Sequence, residues 1–260
     1  MSFMLSMKRR VHRTLTARLG LDIRRIREPV PTGHYHVSPT CQIPSLSFLY
    51  ELFFPTSGTG TFVEVGAFDG YTFSNTSCLV DAGWSGHYIE PIPSSFALCR
   101  DRYATNDRVR VHNIAVGADE RRIQMHAGGA LSTASADSAE EYRRVHWTAS
   151  AFHAGETVEA DQLPLDQFLE AQSVPAGFEL LVVDVEGYEA SVFAGFSLDR
   201  WRPKMLIVEL ADTHPDFASH RREHAALSRE IQRSYTIVYK DSANTMFVSE
   251  DLLLHAFVNP

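Results

Sequence analysis

The stretch Thr61–Gly70, TFVEVGAFDG, decides how the chain is read. Thr61 to Val65 is an apolar run bounded by glycine, which fits a parallel strand covered on both faces. It leads straight into a turn holding Gly66 and Gly70, where glycine lets a ligand approach bare backbone. A helix is predicted over Thr72–Ala82, its N-terminal amides aimed at that ligand. Glu64 changes the chemistry. A phosphate-binding loop would not place a carboxylate there, whereas a ligand with a cationic amino group or a hydroxyl would meet one well.

The next strand, within Gly86–Pro91 (GHYIEP), ends in Glu90, 26 residues after Glu64. In a doubly wound sheet an acid at the end of the second strand accepts hydrogen bonds from a ribose diol. The dinucleotide fingerprint G-x-G-x-x-G is not met. Glu64, Gly66 and Gly70 give E-x-G-x-x-x-G, with Phe68 where a middle glycine often sits. That spacing favours S-adenosylmethionine, which has a ribose and an amino acid tail but no pyrophosphate.

Outward from these motifs, strands and helices alternate. Further strands are predicted over Val109–Asn113, Arg121–His126, Glu156–Ala160, Glu179–Val183, Lys204–Leu210, Tyr235–Tyr239 and Thr245–Ser249. Helices are predicted over Pro44–Phe54, Ser94–Tyr103, Leu165–Gln172, Tyr188–Phe193 and Phe217–Gln232. This alternation with a terminal strand pair specifies an α/β three-layer sandwich. Ala130–Ala154 shows no clear period. Structureless inserts of that length are commonly lids or disordered, and this one is read as a substrate lid with His146, Trp147 and His153 as contacts.

The motifs VEVGAFDGYTFSNT, GHYIEPIPSSF, NIAVG, LDQFL and LLVVDVEGYEASVFAGF, in that order, resemble the FkbM family of S-adenosylmethionine-dependent methyltransferases. The resemblance runs from about Thr61 to Ser249 and departs near Val80, where relatives often carry an acid. It implies a Rossmann-like class I methyltransferase fold, a three-layer α/β/α sandwich on a mostly parallel seven-stranded sheet. It also implies O-methylation of a hydroxyl on a sugar, polyketide or similar small acceptor.

Composition narrows the setting. Of 260 residues 44% are hydrophobic, enough for one covered sheet, and no apolar run of membrane-spanning length occurs. The formal net charge of −8 argues against a nucleic-acid substrate. Cys41, Cys78 and Cys99 have no metal-ligand spacing and read as reduced thiols of a cytoplasmic protein. Residues 1–54 form a basic extension and linker, and 55–260 the methyltransferase domain. Met1–Glu28 holds eight of the 24 basic residues, with Leu15, Leu19 and Ile23 at helical spacing. Such a helix packs on the catalytic domain, packs on a partner or lies on an anionic membrane. His34, Tyr35 and His36 belong to a loop that either closes over substrate or stays solvated.

The cofactor set is Glu64, Gly66, Asp69 and Gly70 in the first turn, Ser74 and Asn75 at the helix start, Glu90 for the ribose, Asn113 and Ala115 for the adenine, and Asp184. Ser74 and Asn75 could equally be helix caps, and Asn113 a turn residue. Asp184 emerges from a buried strand, which is costly unless the charge is paired or used. Glu209 ends the next strand in the same way, and Glu186 lies in the turn between. Asp184 and Glu209 are therefore the expected catalytic edge, with His214 a separate base whose ordinary pKa suits neutral pH. With Asp212 they could hold Mg²⁺ through oxygen ligands, although a metal-free site is favoured. The competing classes are a non-catalytic Rossmann-like nucleotide-binding protein and an NAD-linked oxidoreductase. The incomplete glycine fingerprint and Glu64 count against the latter.

Overall fold

The computed structural model describes residues 35–55, 60–152 and 156–258. The expected basic helix over Met1–Glu28, His34 and the lid residue His153 lie outside them.

The strands are β1 (Thr61–Val65), β2 (Ser85–Ile89), β3 (Val109–His112), β4 (Ala115–Val116), β5 (Arg121–His126), β6 (Thr157–Leu163), β7 (Leu180–Val183), β8 (Met205–Glu209), β9 (Tyr235–Lys240) and β10 (Asn244–Ser249). The helices are α1 (Leu46–Phe53), α2 (Ser77–Asp81), α3 (Pro93–Tyr103), α4 (Ala136–Arg144), α5 (Leu165–Ala171), α6 (Glu189–Ala194), α7 (Leu198–Trp201), α8 (Arg221–Ile231) and α9 (Glu250–Val258). The main sheet has the order β3-β2-β1-β7-β8-β10-β9. Its first five strands are parallel, and β10 runs antiparallel to both β8 and β9. The chain leaves β1 towards β2 and β3, then returns on its other side with β7 and β8. The carboxyl ends of β1 and β7 therefore flank the switch point where a ligand crevice forms. This is the Rossmann-like class I methyltransferase fold expected from the motifs.

Side-chain alternation builds the two cores. Phe62, Leu180, Val182, Met205 and Ile207 pack with Leu46, Tyr50 and Leu79 on one face. Val63, Leu181, Val183, Leu206 and Val208 pack with Leu165, Phe168, Val192 and Ile231 on the other. Each such side chain, fully buried, is stabilised by about 1.5–3 kcal/mol, so strands this apolar are fixed between two helical layers. Among the described residues no helix is long and apolar enough to cross a membrane.

Several elements differ from the sequence reading. The helix expected over Thr72–Ala82 shrinks to α2. Asp69 accepts hydrogen bonds from the Tyr71 and Thr72 amides, Ser74 Oγ accepts from those of Thr76 and Ser77, and Phe73 is left-handed at φ +61°. These side chains hold the chain in turns until Ser77, so the five-residue helix starts too late to aim its amides at a ligand. The unplaced insert contains α4. Ser135 caps it by accepting from the Ser138 amide (3.1 Å), and Asp137 and Arg143–Arg144 sit at the ends where the helix dipole favours them. Ala139, Tyr142 and Phe152 then bury a small core of their own with Leu131 and Phe217. β5 and β6 do not join the main sheet; with β4 they make a separate sheet of order β4-β6-β5. Tyr35, expected in a loop, is core: its ring is buried and its hydroxyl donates to the Phe54 carbonyl (2.9 Å), while His36 is exposed. The C-terminal α9 was not foreseen.

Candidate active site

The site begins where β1, β2 and β7 end. The Gly66 and Ala67 amides both donate to the Ile89 carbonyl (3.0 and 3.1 Å), and the Asp184 amide donates to that of Val65 (3.0 Å). Gly66 has φ +89°, and a Cβ there would overlap the Asp184 carbonyl oxygen. Only glycine fits at this crossing.

Two cavities open on it. The narrower one, of about 40 Å³, is lined by Glu90 and by apolar Ile89, Ile114, Ala115, Ile123 and Met125. Glu90 is buried. One carboxylate oxygen accepts from the Phe68 amide (2.9 Å) and the other from that of Ile92 (2.8 Å). Burial pushes its pKa up to about 7, and these two hydrogen bonds offset part of the cost. Each oxygen keeps a lone pair for a further donor.

The wider cavity holds about 680 Å³ and carries the acids. Glu64 is buried at its base, where Oε2 accepts from the hydroxyls of Ser74 (3.4 Å) and Thr76. Burial lifts its pKa to about 7; the Thr76 hydrogen bond opposes this and the Asp184 charge adds to it. Asp184, Glu186 and Glu209 each bring an oxygen within 4.8 Å of the other two. Asp184 is raised to about 6 by burial, opposed by its hydrogen bond with Glu209. Glu209 is held well above the usual carboxylate range by burial and by the charges of Glu186 and Asp184. Crowded carboxyls of this kind share protons. Glu186 is raised too, by burial and then Asp184, and accepts from the Tyr142 hydroxyl (2.5 Å).

A second layer fixes these acids. Buried Glu189 accepts from the Val185 and Gly187 amides (3.1 and 3.2 Å), gripping the turn that carries Glu186. Its other oxygen meets His224 Nε2 (2.9 Å). His224 Nδ1 accepts the Ala211 amide (3.1 Å), so Nε2 bears the proton of a neutral ring. One side-chain pair thereby ties the turn after β7 to the loop after β8.

The expected site residues divide into two groups. Glu64, Gly66, Ser74, Asp184, Glu209 and His214 line the wide cavity, and Glu90 and Ala115 the narrow one. His214 stacks on Phe217 (4.2 Å between centroids, 14°), and its Nδ1 accepts the Asp216 amide (3.1 Å), which places its ring proton on Nε2. The others stand behind the walls. Asp69 is committed to its turn. Gly70, at φ +72°, packs against Cys99 and Tyr103. Asn75 is buried beside Cys41, with its carbonyl accepting from Tyr50 (2.7 Å). Asn113 donates to the Glu90 and Pro91 carbonyls (2.9 and 3.0 Å), holding the Glu90 turn rather than lining a cavity. Asp212 does not join Asp184 and Glu209, because Lys240 binds it (2.7 Å); Glu186 takes that place. Tyr142, Glu189 and His224 had no signal in the sequence, since their partners lie 44 and 35 residues away.

The methyltransferase FkbM domain matches residues 64–234, well over half of the chain. The chain belongs to the FkbM methyltransferase family. Among solved structures, this FkbM chain is similar to a methyltransferase FkbM from Methylobacillus flagellatus at 16% identity and a TM-score of 0.46, covering 73% of this chain and 43% of that one. It thus spans less than half the length of that protein. An O-methyltransferase from Bacillus cereus in complex with SAH is 15% identical, with 83% of each chain covered and a TM-score of 0.46. The O-methyltransferase TomG from Streptomyces achromogenes is 14% identical, with 78% and 77% covered and a TM-score of 0.44. No curated protein matches the chain.

Proposed function

We propose that this FkbM methyltransferase moves a methyl group from S-adenosylmethionine to a hydroxyl on a sugar, polyketide or similar small acceptor. The observation that carries the reading is that the two cavities share Gly66, Phe68, Ala130 and Asp184. A slot lined by Glu90 therefore opens directly onto the acid-lined cleft.

The residues suit that cofactor. Glu90 has a free lone pair on each oxygen for a ribose diol, and the apolar walls around Ala115 suit an adenine. Bare backbone at Gly66 allows close approach, and Glu64 offers a carboxylate to an ammonium. The slot has room for little more than a water, so a nucleoside enters when its Gly129–Ala134 roof gives way. Gly129, at φ +65° with open space around it, is the pliable point. This supports 130–154 as a lid within a methyltransferase domain at 55–260, with residues 1–54 as an extension. The three free cysteines favour the cytoplasm.

When bound, S-adenosylmethionine supplies an electrophilic methyl on a sulfonium. The chain must hold an acceptor oxygen in line and take its proton. Alignment contributes up to about 7–11 kcal/mol in ideal cases, and a positioned base roughly 10²–10⁴-fold. Asp184, ionised first, takes the proton, and Glu209 steadies it by hydrogen bond. His214 could serve as the separate base only by giving up the Asp216 amide, because Nδ1 accepts that amide and Nε2 carries the proton. Asp184, Glu186 and Glu209 also offer oxygens suited to Mg²⁺, but no proposed step passes through a metal.

Calorimetry with S-adenosylmethionine tests the first half, and release of the demethylated product in the presence of acceptor pools tests the second. A folded full-length chain that fails to bind S-adenosylmethionine would sink the reading.

A further inference from the structure

The wide cavity is unbalanced in charge. Glu64, Asp184, Glu186, Glu209 and Asp241 line it, and no Lys or Arg does so among the described residues. Asp241 is occupied: its oxygens accept from the Ala243 and Asn244 amides and the Tyr239 hydroxyl. Glu64 is held by Ser74 and Thr76. The three remaining acids share a single hydroxyl donor, Tyr142. A carboxylate or phosphate brought beside them would meet like charge with no guanidinium or ammonium among the described lining residues to receive it, which disfavours its binding.

Aromatic rings line the same cavity. Trp147 is 55% exposed, with its indole N–H tied to Asp216 (3.2 Å), and its ring lies 5.5 Å from that of Phe217. Phe217 is itself stacked with His214. An exposed indole and a cluster of carboxyls lining one cavity both attract a cation, the ring by cation–π contact and the acids by charge. The size of the cleft and its hydroxyl and carboxyl groups suit a polyhydroxylated ring.

Building on the methyl-transfer reading, we propose that the acceptor is a polyol bearing a protonated amine, such as an aminosugar, and that the cleft rejects carboxylated or phosphorylated counterparts. The amine sits against the Trp147 and Phe217 rings and the acids Glu186 and Glu209. The hydroxyl to be methylated points to Asp184.

Three matched probes test this: methyl glucosaminide, methyl glucoside and methyl glucuronide. Binding to the full-length chain saturated with S-adenosylhomocysteine is measured by calorimetry at a pH where the amine is protonated, in EDTA and again with Mg²⁺. The glucosaminide is expected to bind at least about tenfold more tightly than the glucuronide, with the neutral glucoside between them. In Glu186→Gln and Trp147→Ala the preference for the amine should shrink. A glucuronide that binds as well as the glucosaminide overturns the proposal, as does an order that Mg²⁺ reverses, which would mean that the acids hold a metal. Failure of all three to bind at millimolar concentration overturns it too. A chain that does not bind S-adenosylhomocysteine fails the underlying reading instead, and the two failures are distinguishable.

Discussion

The Tyr142 hydroxyl, carried by α4, donates to Glu186 Oε2 in the turn after β7, 44 residues away. This bond joins the insert to the acid cluster at a point that both must reach for the cleft to close. Tyr142→Phe removes it while keeping the ring packed on Phe152 and Phe217. The loss should cost about 1–3 kcal/mol of stability, as for a buried group left without its partner, and should push the Glu186 carboxyl higher still. Thermal melting checks the first effect. A shift in the pH–rate profile checks the second, which a purely structural role for Tyr142 would not produce.

Glu90 should hold the ribose. In Glu90→Ala, S-adenosylmethionine affinity should fall by about 1.5–3 kcal/mol, as for hydrogen bonds to a charged group. That variant also orphans the Phe68 and Ile92 amides, so Glu90→Gln is the companion, retaining an acceptor for one of them. Unchanged affinity in both folded variants would remove Glu90 from the cofactor site.

Stability of the ligand-free protein should fall as pH rises. Glu64 and Glu90 go from an ordinary 4.5 to about 7 in the folded chain. Between those values the folded state holds more protons than the unfolded one, so raising the pH favours unfolding. Their stabilising protonation is complete below about 4.5 and gone above about 7. A melting temperature lower near about pH 8 than near about pH 5, with a flatter profile in Glu64→Gln, is the expected result. A melting temperature that rises over this window would show that the acids are not buried as described.

Turnover should climb with pH through about 6 as Asp184 ionises. Asp184→Asn and Glu209→Gln should both lose activity on the true acceptor. Treatment with EDTA should leave the wild type unchanged on the metal-free route, whereas loss in EDTA and recovery with Mg²⁺ would move the three acids from base to metal site. Persistence of near-normal turnover in both variants would discard the catalytic edge.

Much of this architecture could be read in advance because apolar strands leave little choice. Thr61–Val65 and Arg121–His126 fall where the pattern put them, and the acids at 90, 184 and 209 lie at strand ends as their buried neighbours required. What escaped was decided by side chains acting on turns. Asp69 and Ser74 hold back the first helix through local hydrogen bonds, and α4 is too small and charged (ADSAEEYRR) to show a period. Glu186 turns inward because its backbone is left-handed at φ +56°, which nothing in the sequence DVEG announces. The grip of His224 on Glu189 spans two loops and needs the fold before it exists.

The two sides of the crevice have different origins. Its floor comes from strand ends: Val65 and Gly66, Ile89 and Glu90, Asp184, Glu209. The part of the roof over the narrow slot comes from one continuous stretch between β3 and β7, from Ile114 to Ala134, which also supplies β4 and β5, the outer strands of the small sheet, while its central strand β6 comes from Thr157–Leu163. The acids and most of the slot's roof thus sit on different pieces of chain, joined through Tyr142 and Glu186. Replacing the span between β3 and β7 with one from a relative would therefore exchange what the cleft admits only if Asn113 and Tyr142 were carried over, because they anchor Glu90 and Glu186 of the floor.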